Sequence, residues 1–350
     1  MQNLNNKKIL YVGEHFQGST SLQRFHTLKR LGYFMDEVNF SQTFHKNSIK
    51  GIISRILHKF SYSIDFVSAN DQIYKKISLE KYYILWIDKG LTINHNLISD
   101  IKKSNRVKFV VGYHVDDMFR KYNQSIQWRQ GLPLYDLVVT NKSYNVNELL
   151  SMGAKRVKFV NNCYDSVIHR PKKISQINKK RFGGEVGFIG AWEKERSDSM
   201  SFLANEGIQL RWWGGGWSNK RFKSSSPNLI YENNAVWGDD YANAINSFDI
   251  NLCFLRKINR DLQTTRSIEI PACGGFMLAE RTEEHQTLFE EAKEADFFST
   301  NEELLDKIRF YLANPDIRLK IALAGRERCE KSGYSHESTL SKIILMLENS

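Results

Sequence analysis

Residues 261–280, DLQTTRSIEIPACGGFMLAE, place a helix start, a basic residue and a carboxylate within one short stretch. Thr264 or Thr265 can cap a short helix, whose free N–H groups and dipole face an anion. Arg266 lies in the first turn, and Glu269 follows one turn after Thr265 on the same side of the helix. A ligand with phosphates at the helix start can therefore meet the Glu269 carboxylate with a neighbouring hydroxyl group.

The second half of the stretch predicts a helix end followed by a buried strand. Gly274 and Gly275 commonly end a helix, and the apolar run 276–279 is typical of a strand inside a sheet. Strands alternate with helices along the rest of the chain, and further strands are expected at 8–12, 82–87, 107–113, 137–140, 157–160, from 185, 209–213, 228–231, 250–255 and 296–298. This alternation predicts an α/β fold with two Rossmann-like, doubly wound domains facing a cleft.

The chain length of 350 residues suits two domains of this kind. We expect an N-terminal domain at 1–167, a linker at 168–182 and a C-terminal domain at 183–335. The linker is expected there because the region carries Pro171 and lacks periodicity. Residues 336–350 form an amphipathic helix that can cross back to the first domain.

Composition favours a globular protein of a reducing compartment. Apolar residues make up 41% of the chain, which is enough for two cores. The four cysteines are scattered without a Cys-x-x-Cys pair, which argues against a disulfide framework or a zinc site; they are Cys163, Cys253, Cys273 and Cys329. Neither a secretion signal nor a long apolar run is evident, so a cytoplasmic location is expected.

The stretch EIPACGG, with Glu269 in a Glu-x-x-Ala-x-Gly setting, resembles the C-terminal signature of group-1 GT-B glycosyltransferases. With the final hundred residues, it is most similar to the spore-maturation CgeB-like branch. The resemblance implies that Glu269 binds the ribose of a nucleotide-sugar donor. Asp261, eight positions earlier, stands where the family usually has a glutamate near the donor sugar.

A second motif, EVGFIGAWEKER at 185–196, matches the family only in part. The family has a Gly-Arg pair and then a lysine, and these cations neutralise the donor diphosphate. Gly190 matches the glycine, Ala191 replaces the arginine, and Arg196 stands at the lysine position. Arg266 or Arg256 can supply the second cation, because an arginine fork suits phosphate oxygens. The alternative is that Arg196 is a surface residue.

Two glycine-containing loops are further candidates for donor contact. Residues 214–216 are three glycines at a strand end, and Gly215 can let a nucleoside base approach the backbone, although a tight packed turn explains the motif equally well. Gly18 lies in the first loop, which the resemblance places near the donor phosphate. Ser19 or Thr20 beside it can equally be the cap of the first helix.

The segment GYHVDDM, at the carboxyl end of the strand 107–113, carries the candidate catalytic residues. The resemblance implies that His114 lies beside the donor sugar. Asp116 and Asp117 can bind sugar hydroxyls, or one can act as a general base if the reaction inverts the anomeric carbon. The alternative is that the histidine ends the strand and the aspartates cap the next helix.

Charge is unevenly distributed along the chain. Residues 1–170 hold 25 Lys and Arg against 13 Asp and Glu, and the remainder holds 25 against 26. The helical stretch 47–60 places isoleucines along one face and Lys46, Lys50, Arg55 and Lys59 around the other. Such a helix can lie on an anionic membrane or pack against a core, and both interpretations stay open.

The sequence therefore predicts an enzyme that moves a sugar from a nucleoside-diphosphate sugar to a glycan, lipid-linked or protein acceptor in polysaccharide biosynthesis. We expect retention of configuration, no metal, no cofactor and no nucleic-acid partner. The expected location is the cytoplasm or the inner face of the membrane. The alternatives are a noncatalytic GT-B-fold subunit of a carbohydrate-assembly system and a nucleotide-sugar epimerase.

Overall fold

The computed structural model describes residues 7–41, 48–217 and 226–349. The chain divides into two compact units. Unit 1 comprises residues 1–161 and 337–350, and unit 2 comprises residues 162–336.

Unit 1 is built on a six-stranded sheet in which every neighbouring pair is parallel, with strand order β2-β1-β3-β4-β5-β6. Its elements are β1 Lys8–Gly13, α1 Thr20–Arg30, β2 Phe34–Asn39, α2 Ile49–Lys59, α3 Ala69–Leu79, β3 Tyr82–Asp88, α4 His95–Lys103, β4 Val107–His114, α5 Ile126–Gly131, β5 Leu137–Thr140, α6 Asn145–Ser151 and β6 Val157–Phe159.

Alternate residues of the central strands enter two separate cores. Ile9 and Tyr11 of β1 pack on one face of the sheet, whereas Leu10 and Val12 pack on the other. Both faces are covered by apolar side chains, which is the normal condition for a wholly parallel sheet and explains the continuous apolar runs in the sequence.

Unit 2 repeats this design with strand order β12-β11-β10-β7-β8-β9, again wholly parallel. Its elements are α7 Gln176–Phe182, β7 Gly184–Ile189, α8 Lys194–Asn205, β8 Leu210–Trp213, β9 Leu229–Tyr231, α9 Gly238–Ser247, β10 Phe248–Cys253, α10 Thr265–Ala272, β11 Met277–Glu280, α11 Glu283–Leu288, β12 Asp296–Phe298, α12 Asn301–Ala313 and α13 Pro315–Lys331. The prediction of two Rossmann-like, doubly wound domains is confirmed.

Two segments near the predicted boundaries have defined places. The last helix, α14 His336–Glu348, contributes Leu340 and Ile344 to the core of unit 1 beside β1. Residues 176–182, expected within a linker, form α7 instead and lie in unit 2. Phe182 at the end of α7 is buried, so core packing explains why this part is helical.

Each sheet has one turning point, which is a pair of neighbouring strands from which the chain continues in opposite directions across the sheet. In unit 1 this point lies between β1 and β3, and in unit 2 between β7 and β10. Ligands of open α/β sheets bind in the crevice outside the carboxyl ends of such strands. The loops after these four strands are therefore where binding residues are expected.

Among the described residues, no helix combines the length and the apolar character needed to cross a membrane.

Candidate functional site

In unit 2, the helix predicted from residues 261–280 lies at the turning point of the sheet. The chain leaves β10, makes a short 3-10 turn at Lys257–Asn259 and enters α10 at Thr265. The neighbouring strand β7 leads into α8, which carries Arg196. The start of α10 and Arg196 thus follow the two strands that define the crevice.

The start of α10 is held by a chain of buried polar groups. The Thr264 N–H donates to Ser267 Oγ at 2.9 Å, and Ser267 Oγ lies 2.7 Å from His285 Nε2. His285 Nδ1 donates to the Glu280 carbonyl at 2.6 Å, so in the neutral ring Nε2 accepts from the Ser267 hydroxyl. Burial lowers the pKa of His285 to about 4, which keeps the ring neutral near pH 7.

Two arginines converge next to this helix start. Arg196 Nη2 and Arg266 Nη2 both donate to the Phe254 carbonyl, at 3.5 and 3.4 Å, and both guanidinium groups lie beside the Phe188 ring. Within the described part of the chain, neither forms an ion pair with a carboxylate, and each has a buried Nε without a hydrogen-bond partner.

The closeness of these two positive charges has an electrostatic consequence. Burial, followed by the repulsion from Arg266, lowers the pKa of Arg196 to about 10. Like charges in a crevice without a carboxylate partner are stabilised by a bound anion. The sequence left open whether Arg266 or Arg256 supplies the second cation, and the structure brings Arg196 and Arg266 together.

Other predicted donor residues have different partners. Arg256 donates to Glu193 at 2.7 Å, so its charge is already paired. Asp261 is buried, and its N–H donates to the Arg256 carbonyl at 3.2 Å. Thr264 and Thr265 stand at the start of α10, as predicted, with Thr264 at the position before the first helical residue.

Glu269 is a buried carboxylate and only 6% of its surface is exposed. The Tyr241 hydroxyl donates to its Oε2 at 2.7 Å, and His169 Nε2 lies 3.6 Å from its Oε1. His169 Nδ1 accepts from the Asp165 N–H at 3.0 Å, so in the neutral ring the proton is on Nε2, which faces Glu269. The carboxylate is thus held in a fixed orientation.

The three glycines after β8 were interpreted either as a tight packed turn or as backbone that a base can approach, and the structure gives them different surroundings. Gly214 has φ +148°, and a Cβ there would lie 1.9 Å from the Gly190 carbonyl oxygen, so this glycine permits two loops to pass closely. Trp217 is buried and donates to the same carbonyl at 2.9 Å. Gly215 is exposed, with open space where a side chain would be. Gly214 and Trp217 therefore have structural roles, whereas Gly215 leaves room for a ligand.

The predicted residues of unit 1 lie at the end of β4 and in the loops after β1 and β4. Gly18 has φ +87° and precedes Ser19, whose side chain caps α1 by accepting from the Leu22 N–H at 3.0 Å. Asp116 accepts from Lys89 Nζ at 2.6 Å. The cap interpretation for Ser19 is what the structure shows.

His114 and Asp117 are fully enclosed in unit 1. Trp128 Nε1 donates to His114 Nε2 at 3.2 Å, and burial lowers the pKa of this histidine to about 4. Asp117 Oδ1 accepts from the Phe119 N–H and from Asn145 Nδ2, as expected of a residue that organises a turn. Neither side chain is exposed to a ligand here, and their catalytic roles stay predictions.

A pocket of about 220 Å³ opens at the turning point of the unit 1 sheet. Glu14 follows β1, and Lys89 and Thr92 follow β3; α2 contributes Ser54 and His58 to the lining. Thr92 Oγ1 is buried without a hydrogen-bond partner among the described residues. Desolvation by the surrounding protein raises the pKa of Glu14, which also lines the pocket. The lining thus offers polar groups to a hydroxyl-rich ligand.

No group of three or more His, Cys, Asp or Glu side chains within residues 7–41, 48–217 and 226–349 is placed to hold a metal ion.

Four polar residues of the unit 2 site were not foreseen from the sequence: His169, Tyr241, Ser267 and His285. Ser267 three residues after Thr264 is the available signal, because a serine at that position can complete a capping box. His169 and Tyr241 reach Glu269 only through the fold.

Comparison with known proteins agrees with this architecture. Residues 196–344 match the family model described as glycosyl transferase-like. No curated protein matches the chain in sequence.

Solved structures resemble the chain over nearly its whole length. Sucrose-phosphate synthase from Thermosynechococcus elongatus is 12% identical, with a TM-score of 0.66 over 98% of this chain and 100% of that one. TarM is 13% identical, with a TM-score of 0.66 over 100% of both chains. Anabaena HepE in complex with UDP-glucose is 10% identical, with a TM-score of 0.65 over 98% of this chain and 100% of that one.

These likenesses show the GT-B fold. The family match over residues 196–344 and this fold together support an enzyme of the glycosyltransferase class, as the sequence predicted.

Proposed function

We propose that this protein transfers a sugar from a nucleoside-diphosphate sugar to a hydroxyl-bearing acceptor. The observation that carries the proposal is the pair Arg196 and Arg266 at the start of α10, two neighbouring guanidinium groups for which the described residues supply no carboxylate partner. A diphosphate supplies the missing negative charge, and it also accepts from the free N–H groups of the helix start.

The same groups explain how bond cleavage is favoured. Charge develops on the diphosphate as the bond to the sugar breaks, and fixed positive groups aimed at that charge stabilise the transition state. In this proposal Glu269 binds the ribose hydroxyls, and Gly215 lies beside the base. Asp261 supports the loop next to the sugar. No metal or cofactor is required for these roles.

We propose retention of configuration, with the leaving phosphate accepting the proton from the acceptor. Asp116 is the base if the reaction inverts, but it already accepts from Lys89, and Asp117 is enclosed. Retention is also what the resemblance of Glu269 and its surroundings implies. The assignment to the CgeB-like branch belongs to the same proposal.

A uridine nucleotide is the first donor to test, because HepE, which shares the fold, was solved with UDP-glucose. The unit 1 pocket is the proposed acceptor site, since its polar lining suits a carbohydrate. The basic balance of residues 1–170 supports action at the cytoplasmic face of a membrane.

Nucleotide release from a panel of UDP-, GDP-, ADP- and CDP-sugars, with and without a glycan acceptor, tests the proposal. Release that depends on the acceptor supports transfer, and the anomeric configuration of the product decides between retention and inversion. Conversion of the donor without acceptor would instead identify an epimerase. If no nucleotide binds, the protein is a noncatalytic subunit and the proposal is wrong.

A further inference from the structure

The helix α2 has two chemically distinct faces. Gly51 is buried, and Ser54 and His58 line the pocket of unit 1, so these residues form the inner face. The outer face carries the large apolar side chains of α2 and its end, which are exposed by 77, 43, 40, 50 and 71%: Ile49, Ile52, Ile53, Ile56 and Phe60. The core-packing interpretation of this helix is therefore wrong for its apolar face. Lys46 and Asn47, which the sequence placed in the same stretch, lie outside the described residues.

A second exposed apolar segment lies against α2. His58 Nε2 donates to the Tyr122 carbonyl at 2.6 Å, and the Ile126 N–H donates to the Ser61 carbonyl at 2.6 Å. Phe119, Tyr122 and Ile126 are exposed by 47, 39 and 46%. We call the exposed side chains of residues 49–60 and 119–126 the α2 surface.

Positive charge flanks this apolar area. On a helical projection, Arg55 and Lys59 border one side of the isoleucine face and Lys50 borders the other. Lys121 adds further charge from the second segment, in which Arg120 is paired with Asp117 Oδ2 at 3.5 Å, and α2 contains no acidic residue. Exposed apolar patches mark interaction sites.

We propose that the α2 surface docks on an anionic phospholipid bilayer. The isoleucines and Phe60 enter the boundary between headgroups and acyl chains, while the lysines and arginines meet lipid phosphates. A second copy of the chain is a poor occupant, since a symmetric contact brings the basic flanks of both copies together. The bilayer supplies the complementary charge.

This docking limits the class of acceptor that the pocket is expected to bind, an inference that rests on the proposed function. The polar face of α2 lines the pocket, and its apolar face contacts the bilayer. An acceptor in that pocket therefore lies next to the membrane surface, which favours a lipid-linked glycan over a soluble one.

Vesicle flotation of the full chain tests the docking. The vesicles are phosphatidylcholine alone or phosphatidylcholine mixed with phosphatidylglycerol, at low and high salt. We expect the wild type to float with the anionic vesicles and to be released by salt. Ile53→Asp combined with Ile56→Asp should reduce the partition coefficient by about tenfold or more.

Two controls separate this effect from misfolding. Leu79→Asp makes the same change at a 73% exposed position at the end of α3, outside the α2 surface, and should float like the wild type. Ile53→Ala with Ile56→Ala keeps helix propensity and should still weaken binding. Melting temperatures of all variants should remain close to that of the wild type.

The proposal is overturned if the wild type ignores anionic vesicles or if the isoleucine variants float normally. It is also overturned if light scattering shows a dimer that only the isoleucine variants disrupt. Calorimetry with UDP on the same samples reports the donor site separately, because the α2 surface contains none of its proposed residues. Vesicle binding without any nucleotide binding would remove the proposed function and leave the docking intact.

Discussion

At the scale of single residues, Glu269 is held from two sides in a nearly closed position. Glu269 could be chosen as a candidate binding residue from the sequence, because the residues of the Glu-x-x-Ala-x-Gly pattern are close neighbours in the chain. Tyr241 could not, because it is 28 residues away and reaches the carboxylate only through the tertiary fold of unit 2. His169 lay in a string without periodicity and carried no signal for this contact.

The contact between Glu269 and ribose leads to a ligand test. We expect wild-type protein to bind UDP about tenfold or more tightly than 2′-deoxy-UDP, because a charged hydrogen bond contributes roughly 1.5–3 kcal/mol. Tyr241→Phe should shrink this preference, since the carboxylate loses its donor at 2.7 Å. Titration calorimetry of both nucleotides measures the effect.

Tyr311 provides the matched control for Tyr241. It is also a buried tyrosine of unit 2 and donates to a carboxylate, Asp296 Oδ2, at 2.7 Å. Tyr311→Phe should cost stability and leave the ribose preference unchanged. Equal binding of both nucleotides by the wild type would show that Glu269 does not contact ribose.

The arginine pair predicts that binding and stability change in opposite directions. Arg266→Met removes a positive charge that repels Arg196, so the melting temperature without ligand should stay the same or rise. The same change should weaken UDP binding by about ten- to a hundredfold, as expected when a charged hydrogen bond is lost. Thermal melting with and without UDP measures both effects.

Arg256→Met serves as the comparison because Arg256 is already paired with Glu193. It should change UDP affinity little. If Arg256→Met weakens binding more than Arg266→Met does, the second cation of the site is misassigned.

At the scale of elements, α10 shows what local patterns can predict. Its start, its glycine end and the following strand depend on neighbouring residues, and all three occur where expected. The edge strand β2 was missed because its sequence, FMDEVN, has two acidic residues at its centre and buries only Val38. The support of α10 by α11 depends on the contact between Ser267 and His285, which no local pattern encodes.

The buried His285 predicts a pH dependence of stability. Its pKa is lowered from 6.5 to about 4 in the folded protein, so between these values the unfolded chain binds a proton that the folded chain does not. Stability should therefore fall as pH decreases from about 6.5, by roughly 1–3 kcal/mol for this residue. Burial lowers the pKa of His114 and His169 too, which adds to the same trend.

Melting of His285→Gln and Ser267→Ala between pH 7 and pH 5 isolates this contribution. His285→Gln should lose less melting temperature on acidification than the wild type, because the titrating group is absent. Ser267→Ala retains the histidine and should keep a steep dependence, although the loss of its bond to Thr264 costs about 1 kcal/mol at every pH. A wild-type slope in His285→Gln would contradict the assignment.

At the scale of the whole molecule, the alternation of strands and helices was sufficient to predict two doubly wound sheets. The strand orders were not predictable, because they depend on which crossover each helix makes. Those orders nevertheless decide where the site lies, since they bring the loops after β7 and β10 together. Arg196 and Arg266, 70 positions apart in the chain, meet for this reason.

Because the two units have separate cores, we expect bound UDP to stabilise mainly the unit that contains its binding site. UDP at one hundred times its dissociation constant stabilises its binding unit by about 2.7 kcal/mol, which slows exchange through unfolding of that unit roughly a hundredfold. Hydrogen exchange measured with and without UDP should show added protection within 162–336, strongest in the loop after β10 and in α10. The core strands β1 and β3 of unit 1 should exchange at unchanged rates, because no proposed donor contact of unit 2 involves them. Arg266→Met measured at the same UDP concentration is the control, and it should lose most of the added protection. Protection confined to unit 1 would place the nucleotide in the pocket after β1 and β3, and the roles assigned to α10 and its arginines would then be wrong.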